Sequence, residues 1–191
     1  VQDAMMFAMF LVVAIAMGHL TTRLGRSQLV EQQRERRTAA LYELAHQAAF
    51  APELDSGLRA AVAHIESIVA AKAALLLRLP DHTLGKTAHP ASSFALSEQE
   101  QGVAVWAFER RKAAGRFTDT LADAAALHLP LQARTAVMGV LCVMPAESRA
   151  FDMSERDLLE AFAVLIGLLL EKDHITAAIQ RAEVLAADEH R

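Results

Sequence analysis

The sequence predicts an α+β domain, an antiparallel sheet with flanking helices, set between an apolar N-terminal helix and a long C-terminal one. Three observations carry this. An uncharged run opens the chain, short apolar runs of strand length alternate with helically spaced segments, and no Gly or Pro follows Gly167. At 191 residues the chain allows one ordinary domain with attachments. With 53% hydrophobic and 22% charged residues it is not a disordered chain. A single cysteine, Cys142, excludes an internal disulfide framework and a Cys-rich zinc site. The net charge of −4 and the 5% aromatic content argue against nucleic acid as a partner.

Residues 4–22, AMMFAMFLVVAIAMGHLTT, contain no Asp, Glu, Lys or Arg. Nineteen helical residues span roughly 28 Å, about the hydrocarbon thickness of a bilayer. Asp3 precedes the run, while Arg23 and Arg26 follow it, so the positive-inside rule places residues 23–191 on the cytoplasmic side. A secretory signal would carry its basic residues before the run. A Met-rich core helix is the competing reading. His19 then sits at the interface, and Val1 in place of Met predicts a fragment of a longer chain.

Each later element has its own signal. Residues 27–50 lack Gly and Pro and are rich in helix formers, with Leu41, Leu44 and Ala48 at helical spacing, which predicts a connector helix. Its Arg34, Arg36 and Arg37 read either as a solvated face paired with Glu31 and Glu35 or as a contact with anionic lipid. Ala51-Pro52 ends it. Asp55 is the expected cap of a helix through Leu58, Val62, Ile65, Ile68 and Val69. Lys72–Leu79 reads as a buried strand, with Thr83–Ala88 as its hairpin partner across Pro80-Asp81-His82. Ser97 with Glu100 has the form of a capping box for a helix through Val103, Ala107 and Phe108. Ala126–Leu131 and Val137–Met144 read as two more strands, with Gly139 allowing a close backbone approach. Ser154 to Asp157 read as the cap of a long helix through Leu158, Phe162, Ile166 and Leu169. Its extension keeps Ile175, Ile179, Ala182 and Ala186 at 4-3-4 spacing, a seam that wants a partner helix. Trp106 and Phe162 are the expected core anchors.

Strands between entry and exit helices fit a sensory domain of the GAF or PAS kind. Four stretches go further: RERRTAALYEL (residues 34–44), VWAFE (105–109), AGRFTDTL (114–121) and LPL (129–131). In order along the chain, they resemble the KdpD family of potassium-responsive sensor histidine kinases. The resemblance implies a transmembrane helix over 1–22, the last of a membrane domain, and a connector over 23–50. A GAF-like domain over 51–170 and a signalling helix over 171–191 complete the division. It further implies a parent in the bacterial inner membrane that autophosphorylates on His with ATP and passes the phosphoryl group to a response regulator. The phosphoaccepting histidine is expected just beyond Glu189-His190-Arg191. A homodimer through the terminal helices, contact with membrane lipid, and a response to potassium limitation or osmotic stress belong to the same expectation. Where the family carries Gly, this chain has Phe117, and a bulky side chain disfavours φ > 0 there.

Within that frame, Thr118, Asp119 and Thr120 are the candidate ligand-binding or ion-binding residues, because clustered hard oxygens suit a hard cation. A turn-capping loop uses the same residue types. His64, His128 and His174 fall in no metal-ligand spacing, and His128 reads as a strand or hydrogen-bonded residue. Cys142 reads as a buried, inert thiol. No phosphate loop, nucleophile elbow or paired-carboxylate motif is present, so no catalytic residue and no cofactor is expected within these residues. The alternative reading is a membrane-anchored GAF module of another signalling protein, binding a small ligand such as a nucleotide or tetrapyrrole.

Overall fold

Apolar runs lie on both faces of one sheet. The computed structural model describes residues 53–146 and 149–189. In chain order the elements are α1 (Leu54–Val69), β1 (Ala71–Leu77), α2 (Glu98–Arg110), β2 (Ala114–Gly115), β3 (Leu127–Gln132), β4 (Val137–Pro145) and α3 (Met153–Glu189). The expected membrane helix over 1–22 and connector over 23–50 lie outside the described residues. Among the described residues no helix is long and apolar enough to cross a membrane.

The strands pair in the order β1-β4-β3-β2, every pair antiparallel. Partners across the ladder share a face, so Ala74 with Cys142, Leu76 with Val140 and His128 with Cys142 point the same way. That face is covered by α2, where Ala74, Leu76, Leu84, Ala104, Val140 and Cys142 form one buried cluster. The alternate residues Leu75, Leu127, Leu129 and Leu141 point to the other face, on which α1 and α3 pack. Leu58 and Ile65 of α1 and Phe162 and Ile166 of α3 are buried there. Helices on both sides explain why the strands read as continuous apolar runs and not as alternating ones. Phe162 is fully buried, as expected of an anchor. Trp106 is not one: it is half-buried beside a small satellite cluster of Val103, Ala107, Ala114 and Ala124. Gly139 meets its expected role, since a β-carbon there would lie 2.3 Å from the Leu76 carbonyl oxygen.

Both sheet edges depart from the sequence reading. Thr83–Ala88 is not a strand; its ladder pairing is limited to the isolated Arg78–Leu84 bridge just beyond β1. The outer edge of β1 is satisfied instead by an irregular segment. Gly85, His89 and Ser93 N–H groups donate to the Leu77, Leu75 and Ala73 carbonyls, while Ser92 and Ser93 hydroxyls accept from the Leu75 and Ala73 N–H groups. Pro90 cannot donate, and the serine hydroxyls take the place of the missing ladder. At the opposite edge β2 is two residues long, and beyond it Pro130 of β3 offers no N–H, which blunts an edge that another strand could pair with.

The helix starts also differ. Glu53 occupies the N-cap of α1 without a side-chain bond, and Asp55 instead meets His89 Nε2 at 3.3 Å. The cap of α3 is Asp152, not Ser154: Asp152 Oδ1 accepts from Glu155 N–H (2.7 Å) and Glu155 Oε2 from Asp152 N–H (2.9 Å). Thus the reciprocal box exists, two residues upstream of the serine.

Candidate functional site

The loop after β2 holds the three residues the sequence singled out. Gly115, at φ 90°, starts it, because a β-carbon there would strike the Ala126 carbonyl at 2.3 Å. Gly115 N–H donates to Thr120 O at 2.8 Å, closing the loop at its neck. The Thr118 hydroxyl lies 2.7 Å from Gly115 O and 2.8 Å from Thr120 O, and it accepts from Thr120 N–H at 3.2 Å. Thr118 is therefore engaged in building the loop. Asp119 is exposed at its tip, and Thr120 lies half-buried between the tip and the neck. Among the described residues no group of three or more His, Cys, Asp or Glu is arranged to hold a metal ion.

Phe117 breaks the sequence expectation. It adopts φ 63°, and Leu121 adopts φ 55°. The bulky residue takes the left-handed conformation because its surroundings hold it there. Its ring stands edge-to-face on Phe151 (centroids 5.8 Å apart, 83° between planes), and the Arg116 guanidinium lies 5.1 Å from the ring centre. Arg156 Nη1 donates to the Phe117 carbonyl at 3.0 Å.

Under α2, sequence spacing missed a buried polar chain. Ser97 does cap α2, accepting from Glu100 N–H at 3.3 Å. The Glu100 side chain, which a capping box would send back to Ser97, turns inward. It accepts from Ala125 N–H (2.7 Å), Ala126 N–H (3.2 Å) and His128 Nε2 (2.7 Å). His128 Nδ1 lies 3.2 Å from Cys142 Sγ. A carboxylate only accepts, so neutral His128 donates from Nε2 and accepts a hydrogen bond from the Cys142 S–H at Nδ1. Burial holds the His128 pKa below the ordinary imidazole value, opposed by the hydrogen bond and charge of Glu100. Burial also pushes the Cys142 thiol well above the usual thiol range. Thiol, imidazole and carboxylate stand in the order of a nucleophilic triad. The thiol is fully buried and protonated, so the chain bolts α2 to β3 and β4 instead of attacking a substrate.

Glu171 does the equivalent on the other face. From α3 it accepts from Arg134 N–H (3.2 Å), Thr135 N–H (3.1 Å) and the Thr135 hydroxyl (2.6 Å), fastening the β3–β4 turn. The Thr135 hydrogen bond keeps its carboxyl below the usual range. Beside the open stretch of β3 lies a groove of about 290 Å³ lined by Arg111, Leu129, Pro130, Gln132, Glu160 and Val164. Beneath α2, by contrast, Ala88, Phe94, Leu96 and Phe108 pack onto the buried cluster.

This architecture has known counterparts. The GAF domain family model matches residues 53–172, and the chain belongs to that family. Its resemblance to the KdpD sensors is met by the sensor protein KdpD of Escherichia coli strain K12, 28% identical over 190 residues. Those residues are 99% of this chain but 21% of that protein, so the chain spans about a fifth of its relative's length. The crystal structure of the native GAF domain of the potassium sensor histidine kinase KdpD from Escherichia coli superposes with a TM-score of 0.62 at 26% identity. It covers 74% of this chain and 99% of that one. The GAF domain of an Acinetobacter phosphoenolpyruvate-protein phosphotransferase shares the fold at 15% identity, with a TM-score of 0.58 over 73% of this chain and 95% of that one.

Proposed function

We propose that this GAF domain is the sensory and signal-transmission region of a two-component sensor histidine kinase answering to potassium limitation or osmotic stress. The observation that supports it most is the continuity of α3. Its first half closes the core through Phe162, Ile166 and Leu170, and the same 37-residue helix runs on past the sheet. There Ile175 and Ile179 are 52% and 54% exposed, a large apolar surface to leave in water. In this reading the exit helices of two copies pair along Ile175, Ile179, Ala182 and Ala186 and bring two kinase cores together beyond Arg191. The parent uses ATP, and a response regulator receives the phosphoryl group. Residues 1–22 anchor the chain in the bacterial inner membrane and residues 23–191 are cytoplasmic, with Arg34, Arg36 and Arg37 near the lipid headgroups. Thr118, Asp119 and Thr120 form the ion-responsive loop.

Two measurements test this. The mass of the 191-residue chain in detergent, corrected for bound detergent, should report a dimer that Ile175→Asp with Ile179→Asp dissociates. A strict monomer, or a dimer indifferent to the pair, refutes the seam. Melting in potassium against sodium should separate for the wild type and converge for Asp119→Asn, because a ligand of the native state raises stability by mass action. Equal wild-type melting in both salts refutes the ion-responsive loop.

A further inference from the structure

From the strained loop we infer that residues 115–121 and the start of α3 form a two-position latch, in which Arg156 holds Phe117 in its left-handed conformation. The inference takes the output role of α3 and the input role of residues 118–120 from the sensory reading above. The mechanical tie itself rests on geometry alone.

Three features make it a latch and not a simple contact. First, the closed position is strained: Phe117 and Leu121, both with β-carbons, lie at φ 63° and 55° in one short loop, a conformation that persists only where neighbours impose it. Secondly, the neighbours that impose it lie on either side of one helix start. Phe151 stacks on the Phe117 ring before the Asp152–Glu155 box, and Arg156 binds the Phe117 carbonyl after it. Arg149 braces the box through Glu155 at 2.6 Å. Thirdly, Arg156 has a second partner in place: its Nε is 3.5 Å from Glu160 Oε1, one turn along α3. In the open position Phe117 relaxes to negative φ and the Arg156 guanidinium, released from its carbonyl, keeps Glu160 as a partner. The loop transmits as a unit because the Thr118 hydroxyl ties Gly115 to Thr120. A change at Asp119 or Thr120 therefore reaches the Phe117 carbonyl and, through Arg156, the first turn of the helix that leaves the domain.

The test is amide hydrogen exchange, read by mass spectrometry on the 191-residue chain in detergent, with β4 amides as the internal reference. Thr118→Val disturbs the loop away from α3, and Arg156→Gln removes the tie between the helix and the Phe117 carbonyl. Coupling is reciprocal, so each substitution should speed exchange in both segments 115–121 and 153–158. The expected factor is about fivefold, the size of a charge-assisted hydrogen bond discounted for its partial exposure. A third variant guards against general loosening: with Phe117→Gly the loop holds φ > 0 without strain, so adding Arg156→Gln should change loop exchange much less than in the wild type. Effects confined to the substituted segment, or an undiminished effect in the glycine background, overturn the latch. Because no ion is added, failure of the potassium response leaves this outcome unaffected, and the two readings fail separately.

Discussion

Glycine-to-alanine substitution in two helices should have opposite signs, and the difference measures how closely α3 approaches the sheet. In a helix interior alanine is favoured over glycine by about 0.8–1 kcal/mol. At Gly102, exposed on α2, an added β-carbon meets nothing within 4 Å. Gly102→Ala should realise most of that gain, raising Tm by roughly 3–5 °C for a domain of this size. At Gly167 of α3 the same carbon would lie 2.6 Å from Gln132 O and 2.9 Å from the carbonyl carbons of Gln132 and Leu131. These are backbone atoms of β3, and Glu171, one turn on, fastens the adjoining turn to the same helix. The strand cannot step aside alone, so overpacking costs about 1–3 kcal/mol, with the value toward the upper end for a contact this short. The propensity gain is common to both sites and cancels in the difference, leaving about 1–3 kcal/mol of close approach. Thermal and urea unfolding of the two variants, followed by circular dichroism, read it directly. Gly167→Ala as stable as Gly102→Ala would refute the tight seating of α3.

Phe162, fully buried between α1, α3 and the sheet, should cost about 3–5 kcal/mol as Phe162→Ala, while the half-buried Trp106→Ala should cost less; a Phe162 loss no larger than that of a surface substitution in urea melts removes it from the core. Glu100→Ala should cost about 2–4 kcal/mol by stranding the Ala125, Ala126 and His128 donors, against about 1 kcal/mol for Ser97→Ala; equal losses would return Glu100 to a helix-cap role. The folded His128 pKa lies below the unfolded value near 6.5. Between the two the unfolded chain binds more protons, so stability falls as pH is lowered from about 7 toward the folded pKa. Melts of wild type and His128→Gln over that range should show a shallower slope for the variant, and parallel slopes would refute the assignment.

Pattern alone reached the three helices and three longer strands in order, because helical and strand periods and capping residues act within a few positions of the chain. It did not reach the two-residue β2, and it read a strand at Thr83–Ala88 that is not there. Val103, Ala107 and Phe162 could be placed on buried faces, and Gly139 at a close approach, from spacing and residue type. The loop of Thr118, Asp119 and Thr120 was legible as a cluster of oxygens, yet its own sequence could not say that the Thr118 hydroxyl is engaged in closing it. Glu100 misled because Ser-x-x-Glu is the same string whether the carboxylate returns to the cap or turns into the core. Its partners Ala125, Ala126 and His128 lie 25 to 28 positions away. Glu171 likewise draws its partners, Arg134 and Thr135, from 36 to 37 positions away, beyond the reach of local spacing.

What the sequence determined by itself is an α+β chain with apolar strands, an N-capped α2 and a long unbroken exit helix. Those features follow from side-chain spacing against a fixed backbone period. Tertiary structure decided how unpaired groups found partners: serine hydroxyls along β1, two glutamates receiving backbone N–H groups on opposite faces, and Arg156 holding Phe117 at φ 63°. Burial makes an unmatched polar group costly. The group that satisfies it is whichever the fold brings within about 3 Å, and that distance is set by packing between segments far apart in the chain.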